Sequence, residues 1–393
     1  MYIKRDISAV LREAMKMFPA VILTGPRQSG KTTLAKHVFP DYDYVNLEDP
    51  DLRLFATQDP RGFISRYPRQ AIFDEFQRVP ELTSYLQSHI DQVNETGMYV
   101  LTGSNQFVAM EQVTQSLAGR VAIMKLLPFS CHEIGLSRSS GIEEILFQGG
   151  YPRIFSQDID PTLFYRSYLE TYLQKDVRNL KSIQDLSRFH TFVRLCAGRT
   201  AQILNYTGLS NDAGVEVKTL KGWLSVLEGS FIISIVPPFH GNINKRLIKS
   251  PKLFFIDSGL AAHLLGMISA NQIETHPLMG ALFETFVFSE LMKFRMNRKD
   301  ASSLFYYRES NGVEIDFIIE TGDGILPIEV KASATPVKGL FKNLIAFSKI
   351  CTRCKTPLLL YGGDTSSHMY GCDLLPYNRL HEYLVANMGP SCD

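Results

Sequence analysis

Two glycines, a lysine and a threonine stand at fixed spacing in Gly25-Pro-Arg-Gln-Ser-Gly30-Lys31-Thr32. Glycines let backbone N–H groups curl around an anion, and a helix N-terminus adds unpaired donors and a favourable dipole. A lysine placed there reaches β- and γ-phosphates, and the following hydroxyl ligates Mg2+. The pattern G-x-x-x-x-G-K-[ST] is therefore a phosphate cradle, and its flanks agree: apolar "AVILTG" precedes it as a strand and "KTTLAKHVF" follows as a helix. The expected contacts to ATP are Gly25, Pro26, Arg27, Gln28, Ser29, Gly30, Lys31, Thr32 and Thr33.

The cradle needs acids. Ala71-Ile-Phe73 is an apolar run ending in Asp74-Glu75, and open α/β sheets bind ligands at the C-terminal ends of their strands. Asp74 is expected to share the Mg2+ with Thr32, and Glu75 to orient or deprotonate the attacking water. The next apolar run ends in Thr102-Gly-Ser104-Asn105, whose polar tip suits a sensor of the γ-phosphate or water. Arg120, in "SLAGRVA", has the charge for an arginine finger, acting within a subunit or across an interface. The plainer alternatives are a turn for Ser104-Asn105 and an ordinary surface residue for Arg120.

A second group of chemical residues lies near the C-terminus. "GVEIDFIIETGDGILPIEVKA" reads as a hairpin turning at Gly322-Asp323, which sets Asp316 opposite Glu329 and Glu314 opposite Lys331. All four then share one face, because strands alternate with period two. Facing carboxylates repel unless a cation lies between them. Glu284, in "GALFETFVFSELMKF", puts another acid on an otherwise apolar helix face. A slip of one residue in the hairpin would scatter the set.

The elements that position these groups follow from pattern. Residues 1–18 read as an amphipathic helix, and the apolar runs that follow are spaced for crossover helices, giving an α/β layer with a parallel sheet. Residues 140–200 read as helical. Then "AQILNYTGLSNDAGVEVKTLKGWLSVLEGSFII" gives helix, turn and longer helix before a β-rich run, the order of a winged helix. Its exposed Lys218 and Lys221, with Lys245, Arg246, Lys249 and Lys252 beyond, could neutralise DNA phosphates, or could simply be solvated.

With 393 residues the chain has room for two or three domains. Lys plus Arg (41) nearly cancels Asp plus Glu (40), so no global field selects nucleic acid or a membrane. No stretch is long enough to span a bilayer, and six scattered cysteines read as free thiols, so a cytoplasmic location is expected.

On "GPRQSGKTT", "IFDEFQRVPEL", "LTGSNQF", "SLAGR" and "NKRLIKSPKLFFIDSGL", the sequence resembles the prokaryotic AAA-type predicted ATPases that carry a C-terminal domain of unknown function. The resemblance implies an AAA-like P-loop NTPase core at 1–135, a helical lid or connector at 136–195, a winged-helix segment at 196–270, and a domain similar to the PD-(D/E)XK, restriction-endonuclease-like superfamily at 271–393. In that superfamily two acids hold Mg2+ and a lysine assists the attacking water, roles that would fall to Asp316, Glu329 and Lys331, with Glu284 as a third acid. Three activities compete: an ATPase driving a DNA-acting module, a nucleotide-dependent switch that binds a protein partner or its own copies through a degenerate nuclease-like domain, and a nucleotide kinase. The long helical and winged segments, which no small phosphoryl acceptor requires, weigh against the last.

Overall fold

The computed structural model describes residues 2–103, 117–135, 141–172, 185–240, 250–298, 302–309 and 312–388. Five short strands form the first sheet: β1 (Ala20–Thr24), β2 (Asp43–Asn46), β3 (Ala71–Asp74), β4 (Tyr99–Thr102) and β5 (Val121–Lys125). Their order is β2-β3-β4-β1-β5, and every pairing is parallel. β1, β3 and β4 are buried at every position, which explains their unbroken apolar runs. Because β4 lies between β1 and β3, its C-terminal tip falls between the phosphate loop and the acidic pair.

Helix Ser8–Met17 packs Leu11, Ala14 and Met15 on one face of this sheet beside Leu34, Ala35 and Val38 of helix Lys31–Val38. The other face is covered from Phe63, Leu82, Leu86 and Ile90. Each face has its own apolar cluster, so the sheet is a two-sided platform with its loops gathered at the strand ends.

Helices Leu186–Ala197, Tyr206–Ala213 and Val217–Gly229 are followed by the antiparallel pair β7 (Ile233–Val236) and β8 (Lys252–Phe255), with β6 (Gln202–Ile203) on the far side of β8. Leu220, Trp223, Leu224 and Leu227 form the expected buried stripe. Lys245, Arg246 and Lys249 lie outside the described residues.

The last sheet orders as β13-β14-β12-β11-β10-β9, from β9 (Ser303–Arg308), β10 (Glu314–Glu320), β11 (Ile325–Lys331), β12 (Leu358–Tyr361), β13 (Ser367–Met369) and β14 (Cys372–Pro376). Helix Met279–Met296 covers it, and its Phe283, Val287, Phe288 and Leu291 join one apolar core with Trp223 and Leu227. That core runs continuously from Leu127 to Leu384, so the middle and C-terminal segments are packed as one body. Among the described residues no helix is long and apolar enough to cross a membrane.

Candidate functional site

The phosphate loop leaves β1 at Gly25 with φ +147°, where a Cβ would lie 2.1 Å from the Leu126 carbonyl oxygen, so only glycine fits beside β5. The helix begins at Gly30 in the left-handed region, φ 91°, without a capping side chain. Lys31 is buried, and its Nζ donates to the carbonyls of Gly25 at 3.0 Å and Pro26 at 2.8 Å. The ammonium is thereby stored on the rim of the loop it is expected to serve.

Asp74, at the tip of β3, collects hydroxyls from three elements. Thr32 donates to its two oxygens at 3.1 and 2.9 Å, Tyr44 at 2.8 Å, and Thr102 of β4 donates as well. This set of hard oxygen donors at the mouth of a phosphate loop fits Mg2+. Asp74 is buried behind Thr32, whereas Glu75 lines the cavity beside Thr32 and Lys31, its backbone turned into the left-handed region at φ 55°. Its carboxylate accepts from Gln77 Nε2 at 2.5 Å. Burial pushes the Glu75 carboxyl above its ordinary range, reinforced by Asp74 and opposed by Lys31. A carboxylate with raised proton affinity is a better base.

These groups open on a cavity of about 500 Å3 walled on the other side by Tyr2, Phe129, Pro152 and Arg153. One brace of the loop left no signal in the sequence. Arg5 is buried and donates to Ser29 O at 2.8 Å, Leu127 O at 2.6 Å and Glu133 at 3.0 Å. It therefore ties the phosphate loop to a segment more than 120 residues from Arg5 itself, and only the fold brings those partners together.

Arg120 is not brought to this cavity. It precedes β5 at the N-terminal edge of the sheet, where its carbonyl accepts from Ala20, and forks onto Asp91 at 2.5 and 2.9 Å. The phosphate loop leaves the opposite edge. Ser104 and Asn105 lie outside the described residues.

The C-terminal residues do converge. Phe317–Ile328, Ile318–Pro327 and Ile319–Leu326 pair across β10 and β11, the register expected from the Gly322-Asp323 turn. Asp316 accepts from Val330 N at 2.8 Å, and Lys331 Nζ lies 2.8 Å from Glu329 and 3.7 Å from Asp316. Burial first, then the Asp316 charge, pushes Glu284 and Glu329 up to about 8. Lys252 corrects the expectation of a solvated, phosphate-facing lysine. Its side chain is 4% exposed and turns inward to Glu284 at 3.1 Å and Glu314 at 2.9 Å. Lysine reads as surface in a sequence, but β8 is the central strand of its sheet and points this one into the core.

Another buried carboxylate, Asp257, is committed to structure: it accepts from Gly150 N at 2.8 Å, Leu260 N at 2.9 Å and Tyr165 OH at 2.6 Å.

Residues 17–135, which carry the loop and acidic pair just described, match the family described as AAA domain. The amino-terminal unit is of the AAA type. Residues 139–271 and 279–380 match two families described as domains of unknown function, DUF8612 and DUF4143. An uncharacterized protein of Mycobacterium tuberculosis is 29% identical over 338 residues, covering 85% of this chain and 75% of its own. One from Haemophilus influenzae is 24% identical over 247 residues, 59% of this chain and 58% of its own. A Walker-type ATPase of Pyrococcus abyssi is similar in structure with TM-score 0.43 and 16% identity, over 67% of this chain and 96% of that one. The chain thus joins a unit that matches an AAA domain to a C-terminal segment that matches a domain of unknown function.

Proposed function

We propose that this AAA-type chain is a Mg2+-dependent ATPase whose nucleotide state switches its C-terminal unit. The observation that carries the reading is the meeting of Thr32, Asp74 and Glu75 at the mouth of the cavity that Lys31 lines. Thr32 and Asp74 would hold the Mg2+, which would supply neutralisation of phosphate charge. Lys31 leaves the Gly25 and Pro26 carbonyls for the phosphates. Glu75 takes the proton of the attacking water, and Asn105 orients that water. Arg120 reaches a phosphate from a neighbouring copy of the chain, because its place at the far sheet edge keeps it from its own.

The DNA-acting reading has support of its own. The helices before β7 and β8 follow the order of a winged helix, and Asp316 with Glu329-Val-Lys331 keeps the D…E-x-K form of the PD-(D/E)XK nucleases. Lys252 favours the switch instead, since a buried ammonium already serves the acids that a nuclease would spend on metal.

ATP hydrolysis by the wild type and Lys31→Ala, with and without duplex, branched and single-stranded DNA, separates the two. The switch reading expects Lys31-dependent turnover indifferent to all three DNAs, with none of them cut. DNA-stimulated turnover with Mg2+-dependent cuts would establish the DNA-acting module.

A further inference from the structure

Four carboxylates, Glu284, Glu314, Asp316 and Glu329, meet two ammoniums, Lys252 and Lys331, in one largely buried cluster, with Glu314 and Lys331 at its partly exposed edge. Lys331 lies at the edge, its side chain 35% exposed, and serves Glu329 and Asp316. Lys252 is central. Its Nζ lies 3.1 Å from Glu284, 2.9 Å from Glu314 and 3.9 Å from Asp316, with the Tyr306 ring 5.5 Å away. These acids come from helix Met279–Met296 and from β10, whereas the lysine comes from β8 of a different sheet.

A divalent ion in this cluster would take its oxygens at about 2.0–2.6 Å from the same carboxylates. Metal and ammonium would then stand within a few ångströms of each other, and two positive charges at that range in a poorly solvated cluster repel strongly. Lys252 cannot yield by a small backbone shift, because it is paired to Ile203 on one side of β8 and to Val236 on the other. The cluster still keeps a feature of a cation site: among the described residues, Glu329 Oε2, in a residue only 4% exposed, has no hydrogen-bond partner.

We propose that Lys252 is the resident cation of this acidic cluster and keeps divalent metal out of the resting chain. Withdrawing that one ammonium uncovers a site for a divalent cation on Glu284, Asp316 and Glu329. The idea deepens the switch reading of the C-terminal unit, but its test uses no nucleotide, so failure of one leaves the other standing.

The experiment is a nucleotide-free titration of Mn2+ against full-length protein, with free Mn2+ followed by electron paramagnetic resonance. Wild type and Asp316→Asn should take up Mn2+ alike. Lys252→Met, close in size but uncharged, should gain one saturable site about tenfold or more tighter than anything in wild type, and adding Asp316→Asn should abolish it. A wild-type site that Asp316→Asn removes would overturn the proposal, as would a folded Lys252→Met protein with no gain. If Lys252→Met fails to fold, the wild-type and Asp316→Asn pair decides alone: equal uptake supports the resident lysine, and a difference refutes it.

Discussion

Thr32 and Asp74 are 42 residues apart in the chain, yet the threonine hydroxyl lies within 3.1 Å of both carboxylate oxygens. Parallel strands with crossover helices create that contact, and Tyr44 and Thr102 hold the carboxylate in place. Asp74→Asn keeps the shape and removes the charge. Titrations with ATP should show Mg2+ strengthening binding to wild type by tenfold or more, about 1.4 kcal/mol, but leaving Asp74→Asn unchanged. Equal gains in both proteins would move the metal elsewhere.

Arg5 and Glu133 are a buried pair, with side chains 4% and 0% exposed. Removing one partner of such a pair typically costs about 3–5 kcal/mol, because the other charge is left unpaired. Denaturant unfolding of Arg5→Met should show a loss of that order, together with weaker ATP binding as the Ser29 carbonyl loses its brace. A change below about 1 kcal/mol, the range of exposed pairs, would refute the bracing role.

Arg120, by contrast, sits in an exposed pair with Asp91, so Arg120→Ala should leave stability within about 1 kcal/mol of wild type. If it serves a neighbouring copy, Arg120→Ala and Lys31→Ala will each be slow alone and recover turnover when mixed. Persistent inactivity in the mixture would return Arg120 to the surface.

His381 of helix Leu380–Asn387 stacks on His132 at 3.8 Å, joining the last helix to the chain that follows the first sheet. Burial foremost, and then the charge of His132, holds His381 below the ordinary imidazole value of 6.5. The unfolded chain then binds the extra proton more readily, so this stability is present above pH 6.5 and fades as pH falls through the folded value. Melting temperatures from pH 8 to pH 5 should drop more steeply for wild type than for His381→Gln. Parallel curves would contradict the assignment.

The sequence exposed what is local. Gly25 to Thr32 is legible because each role is fixed by spacing along one turn, and the β10–β11 register is legible because a tight turn at Gly322-Asp323 sets it. Glu75 is harder: it lines the cavity while Asp74 is buried behind Thr32, and nothing local marks its left-handed backbone. Partners from distant segments leave no pattern, so the roles of Arg5 and Asp257 have no signature in the sequence. Lys252 is not legible as a buried residue because charge in a sequence signals exposure, whereas a central strand can carry a lysine inward when acids await it.

Glu75, turned into the cavity beside Lys31, is expected to serve hydrolysis and not binding. The deciding measurement is ATP affinity and single-turnover hydrolysis for wild type and Glu75→Gln in the same preparation. Removing a general base should slow hydrolysis by about 100-fold or more while affinity stays within a few-fold. Equal hydrolysis by the two proteins would contradict the account and take the base role away from Glu75.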